Sequence, residues 1–211
     1  TSNTVIGLDS DTQRNWISAN NNDGVYIWGT HSNLQITGNR IGLTASGAAA
    51  GNATNGIRVT GSSKAGSQVT ALPPTIIQSN RLHNNSAAGV YVETSAGNGH
   101  KISGNSFHNN GGLAIDLQPY NVNANDAGDG DSGPNGLQNF PEVLTVQQPT
   151  PSTLRVTGSF NSTPSTTFTI QLYVTSSPDP TGYGEGLEMI HSFSLSTNSG
   201  GNATFDKTFT Y

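Results

Sequence analysis

One phrase recurs along the first two thirds of the chain: an aliphatic residue, an Asn three positions later, and then a Gly that opens a short alternating run. It reads Ile17-Ser-Ala-Asn20 leading to Gly24-Val-Tyr-Ile27, and Ile36-Thr-Gly-Asn39 leading to Gly56-Ile-Arg-Val59. Two further copies are Ile77-Gln-Ser-Asn80 leading to Gly89-Val-Tyr-Val92 and Ile102-Ser-Gly-Asn105 leading to Gly112-Leu-Ala-Ile115. Such a period constrains a chain more than local propensity does, because each copy is one unit that cannot bury its apolar face alone. Gly24, Gly56, Gly89 and Gly112 are 32, 33 and 23 residues apart, the spacing of solenoid coils whose loops differ in length. The largest insertions are 42–55 and 61–75.

Within each copy apolar and polar residues alternate (Val25 and Ile27, Ile57 and Val59, Val90 and Val92, Leu113 and Ile115), the period of a strand with one buried face. Stacking these strands coil on coil at about 4.8 Å buries a continuous aliphatic column. The pattern predicts a parallel β-helix. Asn20, Asn39, Asn80 and Asn105 are predicted to stack as one ladder at a corner, each side chain bonding the backbone of a neighbouring coil.

Composition narrows the function classes. Charged residues are 10% and apolar residues 32% of the 211, so ion-paired helices and large aliphatic cores are both disfavoured. Gly (26) and Asn (24) make almost a quarter of the chain and favour turns and left-handed corners. A net charge of −5 without a Lys/Arg cluster argues against nucleic acid and anionic membrane surfaces as partners. No apolar run approaches the roughly 20 residues of a membrane span, and the start of the chain lacks the basic and apolar regions of a signal peptide. Zero cysteines exclude a disulfide scaffold and thiolate metal sites.

Gly38-Asn-Arg-Ile-Gly42, followed by Gly47, Gly51-Asn52 and Asn55-Gly-Ile57, resembles the repeat of bacterial right-handed parallel β-helix proteins found in large secreted and surface chains. Asn3-Thr-Val-Ile-Gly7 looks like the end of an earlier coil. The stretch from Gly112-Leu-Ala-Ile-Asp-Leu117 through Asn125–Asp131 to Gly133–Pro141 resembles the closing segment of those proteins. The resemblance covers residues 1–141 and implies an all-β fold and an extracellular or cell-surface setting. That family has no single activity to carry over.

After Pro141 the composition changes, since 21 of the 24 Asn lie at or before Asn139 and Ser and Thr then dominate. The chain is therefore expected to divide into a β-helix over 1–141 and a second domain over 142–211. Strands are predicted over 143–146, 153–160, 167–175, 188–195 and 203–209, separated by turn signals such as Ser177-Pro-Asp-Pro180, Gly182–Gly186 and Asn198–Gly201. That pattern predicts a small immunoglobulin-like β-sandwich, similar to the domain C-terminal to the β-helix in the same surface proteins. About 70 residues is short against the roughly 100 of such domains, so the sandwich is expected to lack about one strand.

Two constellations carry chemistry. Asp126, Asp129 and Asp131 fall within six residues on a Gly-rich backbone, with Asn135 close behind. Oxygen donors so placed point to calcium, although the Glu that closes an EF-hand loop is missing. The alternative is a solvated acidic linker. On the outer face of the coils, the alternation places Tyr26, Arg58, Tyr91 and Ala114 in one row and Trp28, Thr60, Glu93 and Asp116 in the next. Tyr26, Trp28, Arg58 and Tyr91 form a candidate carbohydrate-binding strip, unless the 61–75 loop covers it. Glu93 and Asp116, in adjacent coils, fall within range of the roughly 5 Å separation of retaining glycosidases.

Pectin-type enzymes, the polysaccharide-degrading users of this fold, want clustered carboxylates with a base. Here Arg40 and Arg81 recur beside Ser106, and His83 and His108 recur at another position, but no Asp column faces them, and no nucleophile-elbow, zincin or P-loop motif is present. The expected function is a non-catalytic extracellular structural or adhesive module of a larger surface or filament-forming protein. The alternative is a polysaccharide-binding or pectate-lyase-like module. The chain begins inside a coil and ends on the strand-like Phe205, Lys207, Phe209 and Tyr211, so other copies or other domains of a parent protein are the expected partners.

Overall fold

The computed structural model describes residues 3–10, 12–29, 31–61, 71–177, 179 and 182–211. It divides into two compact units.

The first unit comprises residues 1–123, 133–135 and 174–188. Its coils each supply three short strands. The first coil holds β1 (Val5–Ile6), β2 (Trp16–Ile17) and β3 (Val25–Ile27). The second holds β4 (Gln35–Thr37), β5 (Arg40–Ile41) and β6 (Ile57–Val59). The third holds β7 (Ile76–Gln78), β8 (Arg81–His83) and β9 (Val90–Val92). The fourth holds β10 (Lys101–Ser103), β11 (Ser106–His108) and β12 (Ile115–Leu117). Corresponding strands pair in parallel into three four-stranded sheets, β1-β4-β7-β10, β2-β5-β8-β11 and β3-β6-β9-β12. This is a parallel β-helix. Alternation turns Ile36, Ile41, Ile57, Val59, Ile77, Leu82, Val90 and Val92 inward to full burial. Each such aliphatic side chain contributes about 1.5–3 kcal/mol relative to exposure.

The coil register departs from the predicted one at both ends of the helix. Ile17 pairs with Ile41, not Ile36, and Ile36 pairs with Ile6. Asn3–Gly7 therefore carries the first strand of the first coil rather than the end of an earlier one. In the fourth coil Ile115 pairs with Val90, and Gly89 donates its N–H to Leu113 O, so the column Gly24, Gly56, Gly89 ends on Ala114 and not Gly112.

The corner Asn residues form two ladders where one was predicted. In the first, the amide groups of Asn15, Asn39 and Asn80 donate to Oδ1 of Asn39, Asn80 and Asn105 at 2.9, 3.0 and 3.0 Å. In the second, Asn20, Asn52 and Asn85 donate to Oδ1 of Asn52, Asn85 and Asn110 at 2.7, 2.8 and 2.9 Å. Asn20 thus belongs to the other corner, and Asn15 takes its expected place. Coil stacking leaves no room for side chains where backbones cross: a Cβ at Gly42, whose φ is +85°, would lie 1.7 Å from the His83 carbonyl oxygen.

The second ladder does not stop at the fourth coil. Glu185 Oε1 accepts from both Asn110 N–H (3.0 Å) and Asn110 Nδ2 (2.6 Å), the bonds that a further Asn would accept. Phe107 N–H donates to Gly186 O at 2.9 Å, extending the β11 edge. Asn135 similarly accepts from His100 N–H at 2.9 Å and donates to His100 O at 2.8 Å. These groups cap the last coil.

The second unit comprises residues 124–132, 136–173 and 189–211, so the division differs from the expected single boundary at 141. Strands β13 (Glu142–Thr150), β14 (Thr153–Asn161) and β17 (Asn202–Thr210) form an antiparallel sheet with β14 central, and β15 (Thr167–Val174) and β16 (Glu188–Ser196) form a second. All five follow the predicted strands to within a few residues. Val156, Phe205 and Phe209 from one sheet pack with Leu172, Ile190, Phe193 and Leu195 from the other. β13 is exposed along all nine residues. Among the described residues no helix is long and apolar enough to cross a membrane.

Candidate functional site

The outer face of sheet β3-β6-β9-β12 sets Tyr26, Arg58, Tyr91 and Asp116 side by side in register. The row expected to end on Ala114 therefore ends on Asp116, and the same register aligns Trp28, Thr60, Glu93 and Gln118. Glu93 and Asp116 are consequently diagonal neighbours rather than a stacked pair.

Tyr26 and Trp28 are 56% and 53% exposed, as a strip that meets a ligand requires. Tyr91 is not: it is 2% exposed because Tyr120 lies flat on it, ring centroids 4.3 Å apart and planes within 1°. Tyr91 therefore does not meet solvent as predicted. Burial and the hydrogen bond to Tyr120 push its phenol up from the usual range.

Arg58 is the hub of the strip. Its Nε donates to Glu93 Oε1 at 2.8 Å, a second guanidinium nitrogen meets the same carboxylate, and Asp23 lies 3.8 Å away. Its Cζ sits 5.6 Å over the centroid of the Tyr26 ring, within the range of a cation–π contact. Glu93 also accepts from the Thr60 and Ser95 hydroxyls. Burial alone would raise the Glu93 carboxyl, but the hydrogen bonds from Thr60 and Arg58 and the Arg58 charge outweigh it and hold the group below the usual carboxylate range. Asp116 behaves oppositely. It is 5% exposed, Oδ2 accepts Asn121 N–H at 3.3 Å, Oδ1 has no partner, and burial pushes the carboxyl up.

A second outer face, on β2-β5-β8-β11, stacks Trp16, Arg40, Arg81 and Ser106, with His83 beside His108. His83 Nε2 and Ser106 Oγ are hydrogen-bonded at 2.9 Å, and the two imidazoles meet edge to face at 5.6 Å. Burial, then the charges of His108, Arg81 and Arg40, lower His83 from 6.5 to about 4, so it is a neutral imidazole at physiological pH. Among the described residues no carboxylate is bonded to His83, so this Ser–His pair lacks the orienting acid of a triad.

In the second unit, one carboxylate oxygen from each of Asp126, Asp129 and Asp131 lies within 4.8 Å of the others. Asp129, in a left-handed corner at φ 57°, accepts from Asn139 N–H (2.8 Å) and the Ser162 hydroxyl (2.8 Å). Asp126 Oδ2 accepts Gly130 N–H at 3.0 Å, while its Oδ1 is buried without a partner. Burial and the neighbouring Asp126 and Asp129 charges raise the Asp131 carboxyl. The orphaned oxygen and the converging carboxylates fit a calcium ion in part, supplying three of the six to eight oxygens it takes. Asn135, the fourth expected ligand, uses both ends of its amide on His100 in the first unit.

Among the described residues of the first unit lie two shallow depressions away from the strip. One of about 500 Å³ is lined by Val5, Ile6, Gly7, Leu8, Gln13 and Asn15 on the first coil. The other, about 370 Å³, is lined by His108, Asn109, Asn110, Thr175, Ser177, Asp179 and Glu185. Neither includes a residue of the Tyr26–Arg58–Tyr91 strip. Most of the loop expected to cover that strip, 62–70, lies outside the described residues. Sequence reasoning missed Tyr120 and Glu185. Tyr120 follows the last strand and has no counterpart in other copies, whereas Glu185 lies some 75 residues from the ladder it completes.

A family model described as a right handed beta helix region matches residues 48–129. No curated protein matches the chain.

Proposed function

We propose that this chain is a non-catalytic structural and adhesive module of an extracellular or cell-surface protein, in which the β-helix serves as a stiff rod displaying side-chain rows at coil spacing. The observation that carries this reading is the commitment of the strip's acidic groups. Among the described residues, Glu93 is engaged by Arg58, Thr60 and Ser95, and Asp116 is buried, so neither carboxylate of this strip stands open to a ligand. Other copies or other parts of a parent surface protein are its proposed partners. Support comes from β13, a fully exposed edge strand carrying Val143, Leu144 and Val146 at 52–66% exposure, since such an edge is a template for strand pairing. A structural calcium ion on Asp126, Asp129 and Asp131 is proposed for the second unit.

The second reading, polysaccharide binding, is favoured by the exposed rings of Tyr26 and Trp28 on one strip. A glycan array run beside reducing-sugar and unsaturated-product assays separates the classes. Binding or self-association without turnover is the expected result. Turnover abolished by Glu93→Gln or Asp116→Asn would overturn the non-catalytic reading.

A further inference from the structure

We propose that Tyr120, with Tyr26 and Trp28, forms an aromatic platform for an extended, uncharged polysaccharide on the outer face of sheet β3-β6-β9-β12. The proposal rests on the polysaccharide-binding reading and names its ligand class and the ring that the sequence pattern assigned to Tyr91. Three observations carry it. First, Tyr26, Trp28 and Tyr120 are 56%, 53% and 58% exposed, the first two in the outward register of the strip and the third stacked on its Tyr91. Second, two of the rings are steadied by a neighbouring side chain. The Arg58 guanidinium of the adjacent strand lies 5.6 Å over the Tyr26 ring, and the parallel Tyr91 ring lies 4.3 Å from Tyr120, so each ring has one face in contact. A ring already fixed on one side loses little further freedom when a sugar stacks on the other, and that pre-organisation favours binding. Third, Tyr26 and the Tyr91–Tyr120 stack are two coils apart through β6, or about 10 Å at the usual strand spacing. One pyranose ring with its glycosidic oxygen is about as long as one coil rise, so the two platforms suit alternate sugars of an extended chain.

Charge selects the class of sugar. Between the platforms, Arg58, the one cation there among the described residues, is balanced by Asp23 and Glu93, with Thr60 and Ser95 completing the polar row. Such a row offers hydroxyl partners and leaves no guanidinium unengaged for a uronate or sulfate group, so acidic polymers are disfavoured.

Affinity electrophoresis of the 211-residue chain through gels containing hydroxyethyl cellulose, galactomannan or polygalacturonate tests the proposal. Retardation by at least one neutral polymer, and none by polygalacturonate, is the expected pattern. Tyr26→Ala weakens that binding about tenfold, the paired change Tyr91→Leu with Tyr120→Ala abolishes it, and Tyr120→Phe, which keeps the ring, binds like the parent. The pair is used because Tyr120→Ala alone would uncover Tyr91. Trp28 emission shifting on addition of the polymer provides a readout independent of migration, and circular dichroism of each variant checks the fold. Unchanged retardation in the pair, with neutral polymers still bound, overturns the platform while leaving the polysaccharide reading intact. Failure to bind any neutral polymer overturns both, and preference for polygalacturonate overturns the charge argument.

Discussion

Asn80 serves three coils with one amide group. It is 1% exposed, its Nδ2 donates to Ile36 O, Gln78 O and Asn105 Oδ1, and its Oδ1 accepts from the backbone and side chain of Asn39. Asn80→Ala strands several buried groups at about 1–3 kcal/mol each, so a loss of about 3–6 kcal/mol in urea unfolding is expected. A loss below 1 kcal/mol would show that water or backbone shifts replace the ladder. His83 makes a second residue-level prediction. Its folded value of about 4 lies below the 6.5 of an unfolded chain, so the unfolded state binds the proton first. Stability is complete above about pH 6.5 and falls as pH drops towards 4, by on the order of 3 kcal/mol. Denaturant midpoints measured across that window should lose this dependence in His83→Gln. An unchanged slope would assign the acid sensitivity elsewhere.

At the scale of elements, the question is how a stack of open-edged coils ends. The fourth coil is closed by Glu185 and Gly186, which accept from Asn110 and Phe107 where another coil would. On the first coil, by contrast, Val5, Leu8 and Trp16 are 42–48% exposed. A cap made of few groups should control local opening more than global stability. Glu185→Ala is therefore expected to speed amide exchange at Asn110 and in β11 by tenfold or more and to leave β5 and β6 unchanged. Glu185→Gln keeps the acceptor and should restore protection. Equal exchange in parent and Glu185→Ala would mean that the cap is redundant.

On the scale of the whole molecule, two units with different physics share one chain. The first is held by aliphatic columns and amide ladders between coils, the second by a small apolar cluster around Phe205 and Phe209 with the acidic turn at Asp126–Asp131. If calcium occupies that turn, it stabilises the second unit by RT ln(1 + [L]/Kd), about 2.7 kcal/mol at a hundredfold excess over Kd. Calorimetry should then show the melting of that unit rising with calcium and returning with chelator. Asp131→Asn is the appropriate variant, because Asp131 is exposed whereas Asp129 also anchors Asn139 and Ser162. Identical melting curves with calcium and with chelator would remove the ion.

Periodicity alone determined the fold class, the inward columns at Ile57, Val59, Val90 and Val92, and the five strands of the second unit, because burial of one strand face imposes a local alternation that is visible in a single copy. Register was decided only in three dimensions. An aliphatic residue followed three positions later by Asn occurs at either corner, as in Ile36 to Asn39 at one and Leu82 to Asn85 at the other, so Ile17 to Asn20 fits either corner equally well. Inter-coil pairing breaks that tie. In the fourth coil Leu113 and Ile115 satisfy the same alternation, and only the bond from Gly89 N–H to Leu113 O selects Ile115 as the partner of Val90. The site was legible to the same extent. Tyr26, Trp28 and Arg58 point outward by alternation, but the burial of Tyr91 depends on Tyr120 folding back over it, a contact between residues 29 positions apart that no local pattern encodes.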